Sequence, residues 1–392
     1  MTKIVVLLLG FLLAQLSSSL DRQGRAEFAL NFFKTITTYQ PNENIIVSPA
    51  SVQTCLAMTY VGAANQTAAE MRRVLSLERF ANQEAAAADF GELIQTAVKA
   101  PQSKLEMANR IYVDRRLQII PSYQALLSRY FQSSAVTVDF ARNVEAAQSI
   151  NAWVESETHG KIKNLIDPAV LTPDTAVVLT NAIYFKAEWL YPFDPSYTVP
   201  RDFNVNSAQR VKVPMMFRTD VDIRYAAVPN LDLVAAELPY QNTALRMLIL
   251  LPNQLDGGVA RLEQTLSVNT LQQMRGLLKA TTLDLVLPKF KIEFDLSLVE
   301  PLKTMGLNLL FSDAELPNMV TGANNPLFVS EVKHKAFISV DEKGSEASGA
   351  TYSQILERSG RFFQTKLTID RPFVFLILDD NAIYFTGHVL KF

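Results

Sequence analysis

The segment Asp341–Arg361 constrains the fold of this chain more than any other. It reads DEKGSEASGATYSQILERSGR, with no proline and no large apolar residue before Tyr352. Strand-like runs flank it, Phe328–Val340 and Phe362–Ile369. A polar connection of that length inside a compact domain is uncommon and points to function or disorder. Its interior fits a third description. With the two-residue period of a strand, one parity collects Ser345, Ala347, Gly349, Thr351, Ser353 and Ile355, all small or apolar. The other collects Glu346, Ser348, Ala350, Tyr352, Gln354 and Leu356, which include the charge and the larger polar groups. The first set suits a buried face and the second an exposed one. The same residues can serve as an exposed loop or as a central strand, and a segment with two homes is a switch.

The rest of the chain has to supply a sheet for such a strand. With 392 residues, 48% hydrophobic and 19% charged, it has ample core for one large domain. A net charge of -2 argues against nucleic acid or an anionic membrane surface as partner. Lys3, the apolar-rich run Ile4–Leu16 and Ser17–Ser19 have the layout of a secretory signal peptide, set at 1–18. That run is short for a membrane span. The mature chain, 19–392, is expected to be secreted, extracellular and monomeric. Its single cysteine, Cys55, excludes an internal disulfide and sits in an apolar run, as a buried inert thiol does. Asn65-Gln66-Thr67 is an N-glycosylation sequon, so Asn65 is the expected acceptor.

Apolar periodicity predicts helices near 22–38, 52–61, 67–77, 83–98, 121–131, 146–163, 258–265, 268–277 and 296–305. Thr67-Ala-Ala-Glu70 has the spacing of a capping box, and Ser48 or Ser51 suits the cap of the second helix. Strands are predicted near 44–47, 105–113, 136–140, 177–185, 201–217, 221–239, 244–251, 283–292, 327–340, 362–369, 373–379 and 382–390. Val177–Phe185 is apolar throughout, as in a strand buried on both faces. Helices concentrate early and strands late without βαβ alternation, which gives an α+β class.

Glu342-Lys-Gly-Ser-Glu-Ala-Ser-Gly-Ala-Thr351 resembles the hinge of the reactive-centre loop of an inhibitory serpin. Further motifs follow in family order: Asn181-Ala-Ile-Tyr-Phe-Lys186 with Trp189 and Pro192-Phe193, Val213-Pro-Met-Met216, Leu287-Pro-Lys-Phe290, Leu302 with Met305-Gly306-Leu307, Asp370-Arg-Pro-Phe373 and Tyr384-Phe-Thr-Gly387. Each is weak alone; their order and spacing make them strong together. Ala187 departs from the family's usual glycine, and Lys186-Ala187 is still expected to form that turn. The resemblance implies a serpin fold of three β-sheets and about eight or nine helices, with an exposed reactive loop over 342–366. It makes Glu342, Gly344, Ser345, Glu346, Ala347, Ser348, Gly349, Ala350 and Thr351 the hinge. In the family register the scissile bond follows the residue fourteen places after Gly344, which is Arg358–Ser359.

The resemblance also implies a mechanism. Loop insertion into a sheet is the known mode of that family and is not deduced from these residues. A trypsin-like serine protease would cleave after Arg358, and the cut loop would enter the central sheet with the acyl-enzyme attached. Ile355, Leu356 and Glu357 would shape specificity, and Arg361 is a second candidate bait. Ser48, Ser51, Asn181 and His334 would form the polar region beneath the sheet, the shutter. On the residues alone these are polar groups inside apolar segments, which need hydrogen-bond partners.

Other chemistries fit poorly. Three histidines, His159, His334 and His388, offer little to a Ser-His-Asp hydrolase, and Gly344–Gly349 lacks the G-x-S-x-G spacing. No paired-cysteine or H-E-x-x-H spacing suggests a metal, and no glycine loop suggests a nucleotide, so no cofactor is expected. The rival reading is a non-inhibitory serpin, a carrier or storage protein. Small residues at Ala347–Ala350 oppose it, because non-inhibitory relatives tend to carry bulky, charged or proline residues there. Regulation by a glycosaminoglycan would need a basic surface; the pairs Arg72-Arg73 and Arg115-Arg116 read better as solvated surface, and 83–98 has no Lys or Arg.

Overall fold

The computed structural model describes residues 22–98, 104–322, 327–345 and 365–392. The proposed signal segment 1–18, the hinge positions Glu346–Thr351, the residues Ile355, Leu356 and Glu357, and the bond Arg358–Ser359 lie outside the described residues.

The apolar run beginning at Val177 forms the strand Val177–Glu188, buried on both faces for most of its length. It lies within a six-stranded sheet. The order across that sheet is Phe290–Ser297, Val329–Val340, Gly344–Ser345, Val177–Glu188, Lys104–Asp114 and Ala135–Val138. Val329–Val340 and Val177–Glu188 pair directly and in parallel, from Val329 opposite Val177 to Phe337 opposite Tyr184. Beyond Tyr184 they part around Gly344 and Ser345.

One face of this sheet meets the helix Pro49–Tyr60, every residue of which is buried. Ser48 caps it, its Oγ accepting from the Ser51 N–H at 3.3 Å. The opposite face carries the helix Asn143–Glu157, whose Ala147, Ile150 and Val154 pack with Tyr112, Val178 and Ala182 in a small separate core. A nine-stranded sheet holds most of the remaining strands, and Gln118–Ile119 pairs with Val320–Thr321 in a third. Nine α-helices occur among the described residues, the first spanning 22–39. The class is α+β, and no helix among the described residues is long and apolar enough to cross a membrane.

Several local expectations are corrected. The third helix is Asn65–Val74, with Ala64 at its cap and no side-chain cap bond. Thr67 and Glu70 leave the capping box for tertiary partners. Thr67 Oγ1 accepts from Glu315 N at 3.0 Å, and Glu70 Oε2 accepts from Asn308 N and Leu309 N, each at 2.9 Å. The apolar stretch 283–292 is two strands, Lys279–Pro288 and Phe290–Ser297, in different sheets. The break falls at Pro288-Lys289, where Lys289 N turns to Pro214 O. Strand pairing thus continues to Ser297, and the helix expected from 296 is only Val299–Thr304. Lys186-Ala187 forms no turn: the strand runs through both to Glu188, because Gly344 and Ser345 pair with it there.

Candidate functional site: a seated hinge and a polar cluster

Gly344 and Ser345 sit between the two strands that otherwise pair. Ser345 lies opposite Val340 on one side and Ala187 on the other, antiparallel to both. Its side chain is fully buried, and its Oγ is 2.7 Å from the Tyr240 hydroxyl. Tyr240 stacks on Trp189 at 4.6 Å between ring centres and meets Phe185 edge-on at 5.2 Å. Burial holds the Tyr240 phenol far above its ordinary pKa, with the Ser345 bond working the other way. Gly344 has no room for a side chain, since a Cβ would strike the Ala187 carbonyl and sit 2.6 Å from Glu188 Cα. Glycine here is required by close approach of backbone.

The turn before it is tied on every side. Trp189 N donates to Lys343 O at 2.8 Å, Trp189 Nε1 to Asp341 O at 3.0 Å, and Phe193 N to Glu342 O at 2.7 Å. The Glu342 carboxylate accepts from Lys289 Nζ and from Thr198 Oγ1, each at 2.8 Å. Burial works to raise the Glu342 pKa, but the Lys289 and Thr198 hydrogen bonds outweigh it and hold the carboxylate below its usual range. Asp341 closes the turn: its Oδ1 accepts from Lys343 N, and its N–H donates to Gly344 O.

Ser48, Ser51, Asn181 and His334 come together in one buried cluster. Asn181 and His334 face each other across the parallel pair. His334 Nδ1 and Asn181 Oδ1 are 2.5 Å apart. His334 Nε2 accepts from Ser48 N at 3.2 Å, so the ring is neutral, with its proton on Nδ1 and donated to Asn181. Burial drives the His334 pKa from 6.5 down to about 3. Ser48 Oγ donates to Tyr384 O at 2.6 Å, which anchors the cluster to the nine-stranded sheet.

The sequence reading missed one member. Asn109 Oδ1 accepts from Ser51 Oγ at 3.2 Å and from Asn181 Nδ2, while its own Nδ2 donates to Ser51 O at 3.3 Å. A signal was present: Asn109 shares the parity of Leu105, Met107, Ile111 and Val113, so a lone amide stood on an apolar face. The other titratable candidates lie elsewhere. Cys55 is buried, its thiol pushed up to about 12 by desolvation, which leaves it unreactive. His159 meets Glu106 at an exposed corner, and His388 is buried against Glu263 and the Glu43 carbonyl. Asn65 is exposed, and its Nδ2 donates to Glu315 Oε1 at 2.8 Å. No group of three potential metal ligands occurs among the described residues.

A two-residue strand thus lies between two strands that pair directly farther along, where a buried polar cluster bridges them. A family model described as "Serpin (serine protease inhibitor)" matches residues 23–392. The chain belongs to the serpin family. This serpin is 37% identical to "Serine protease inhibitor 42Dd" of Drosophila melanogaster over 360 residues, 92% of this chain and 94% of that protein. Serpin48 of the insect Tenebrio molitor superposes with a TM-score of 0.85 at 31% identity, covering 95% of this serpin and 98% of that chain. Human thyroxine-binding globulin, solved in complex with thyroxine, superposes with a TM-score of 0.86 at 28% identity, over 96% and 99% of the two chains. The family function is inhibition of serine proteases, not catalysis.

Proposed function

We infer that this serpin is a secreted, monomeric suicide inhibitor of trypsin-like serine proteases with Arg358–Ser359 as its reactive bond. The observation that carries this reading is the seat of Ser345, whose buried side chain continues the small-residue parity of the loop. The thyroxine-binding globulin likeness shows that this fold also suits a carrier, so the hinge has to discriminate. Ala347, Gly349 and Thr351 fit the inward face that Ser345 begins, and Ala347–Ala350 hold nothing bulky.

In this reading Arg358 fills the acid-based S1 pocket of the protease, where a guanidinium pairs bidentately with a carboxylate. The protease serine attacks the Arg358 carbonyl carbon and forms an ester, and Ser359 leaves as a new amino terminus. The freed strand then enters the six-stranded sheet. Ser345–Arg358 spans about 46 Å at roughly 3.3 Å per residue, enough to carry the tethered enzyme along the domain and distort its site before the ester hydrolyses. Glu342 and Gly344 fix the pivot, Glu346, Ser348 and Ala350 stay on the outer face, and Ile355, Leu356 and Glu357 tune the choice of protease. The cluster of Ser48, Ser51, Asn109, Asn181 and His334 is the shutter that joins the strands until they part. Segment 1–18 directs secretion, and Asn65 carries a glycan attached before its amide closes on Glu315.

Incubation with a panel of trypsin-like proteases, read on denaturing gels and by mass spectrometry of the released peptide, tests the reading. A complex that survives boiling, cleaved after Arg358, is expected, and Arg358→Ala removes it. Trapping of trypsin by that variant at the wild-type rate rules out Arg358 as the bait.

A further inference from the structure

The interface beneath the helix Asn143–Glu157 contains three buried polar atoms without a hydrogen-bond partner: Arg110 Nε, the Tyr112 hydroxyl and Trp153 Nε1. Arg110 and Tyr112 are two residues apart in the strand Lys104–Asp114, so they share the face that the helix covers. Trp153 belongs to the helix. The Arg110 guanidinium carbon lies 3.9 Å from the centre of the Trp153 indole, and Tyr112 meets that indole edge-on at 6.4 Å. The three residues therefore form one contact cluster built from two elements.

The cluster is rich in donors and positive. Burial pushes the Tyr112 phenol up to about 12, against the charge of Arg110 and an Arg110 N–H directed at the phenol oxygen, so its O–H proton stays on and still has no acceptor. The indole and guanidinium supply two N–H donors. Cation–π contact with Trp153 stabilises the guanidinium but satisfies neither N–H. No carboxylate forms an ion pair with Arg110 among the described residues, and Glu157 acts on Tyr112 only from a distance. Each orphaned buried donor costs about 1–3 kcal/mol, so three in one interface call for a shared partner. A water molecule has two lone pairs and cannot accept from all three, nor offset a guanidinium charge. A compact monovalent anion does both.

We propose that this serpin binds one halide-class monovalent anion, chloride in ordinary solution, between Arg110, Tyr112 and Trp153 at the sheet–helix interface. The anion fastens the helix Asn143–Glu157 to the strand Lys104–Asp114 and protects the native state. The site does not depend on the identity of the bait residue or of the target protease.

The test compares the half-life of the full chain against thermal inactivation in sodium chloride and in sodium gluconate of equal ionic strength, gluconate being too large to enter. A ligand that must leave before unfolding lengthens that half-life about tenfold at ten times its Kd. Trp153→Phe and Tyr112→Phe keep the rings and remove one donor each, so both should shrink the chloride effect, and Arg110→Gln should abolish it. Crystals soaked in bromide should show an anomalous peak within hydrogen-bond reach of Trp153 Nε1. Equal half-lives in the two salts, a chloride effect undiminished in Trp153→Phe, or bromide absent from the interface would each overturn the site and leave the donors to water.

Discussion

Mild acid should weaken the sheet through His334 before it reaches most carboxylates. In the native cluster Nε2 accepts the Ser48 N–H, and the single ring proton is donated to Asn181. A second proton would point at an N–H with no acceptor in reach. Burial accordingly holds the folded pKa near 3, against 6.5 for the free side chain. The sign follows from proton counting. Below pH 6.5 the unfolded chain binds a proton that the native state refuses, so stability is complete above 6.5 and falls as pH drops toward 3. The slope is about 1.4 kcal/mol per pH unit for one proton, or about 2 kcal/mol between pH 6.5 and 5. His334→Gln removes the titration while keeping a polar side chain. Urea midpoints followed by tryptophan emission, taken between about pH 7 and pH 5, should fall more steeply for the wild type than for the variant, the difference being the His334 contribution. His159 and His388 are common to both proteins and cancel. Parallel pH dependences would show that His334 accepts a proton in place, and that the cluster is not the neutral network described here.

Two further outcomes follow from the loop. Nicking between Tyr352 and Arg358 by a non-target protease should raise the melting temperature, because the freed segment gains a place in the sheet; an unchanged melt would favour a carrier. With Ser345 facing inward, Ala347→Arg should place a charge beneath the sheet at a cost of several kcal/mol, slow insertion and give cleavage without a stable complex, read on denaturing gels. Ser348→Arg, one residue on, should still inhibit. The reverse pattern would mean the inserted register is displaced by one residue.

The helix Pro49–Tyr60 was legible from its apolar run and from Ser48, one of two candidate caps, because both signals are local, although its start lies before the expected 52. Thr67 and Glu70 show the limit. Their spacing suits a capping box, yet each is spent on a partner more than two hundred residues away. Pro288-Lys289 shows another: apolar character is continuous across it, and only the three-dimensional path reveals that the chain changes sheet. Ser48, Ser51, Asn181 and His334 were legible as polar residues in apolar surroundings, and the structure brings them into contact. Asn109 carries the same signal, a lone amide on the apolar parity of its strand. The seat of Ser345 was legible only as parity; that it is already occupied, with Tyr240 as its partner, depends on residues brought together by folding.

The pairing of the two separable strands explains why a polar cluster suits this position. Insertion as proposed would break one parallel ladder, from Val329–Val177 to Phe337–Tyr184, and form two antiparallel ladders in its place, of which Gly344–Ser345 already makes the first rungs. The net gain is about one ladder, at about 1 kcal/mol for each hydrogen bond, together with burial of the inner parity. That sum is large beside ordinary domain stabilities of about 5–15 kcal/mol, so the native arrangement needs a barrier and not a deeper well. An apolar plug between the strands would resist parting but gain nothing specific from the closed register. The His334–Asn181 bond is directional: it forms only when those two residues stand opposite each other, and its loss leaves buried polar atoms unpaired. The penalty falls on the half-open state, where neither the old partners nor an inserted strand can satisfy them. In the proposed mechanism a cluster of this kind would therefore hold the sheet closed until an arriving strand, begun at Ser345, can fill the gap as it opens.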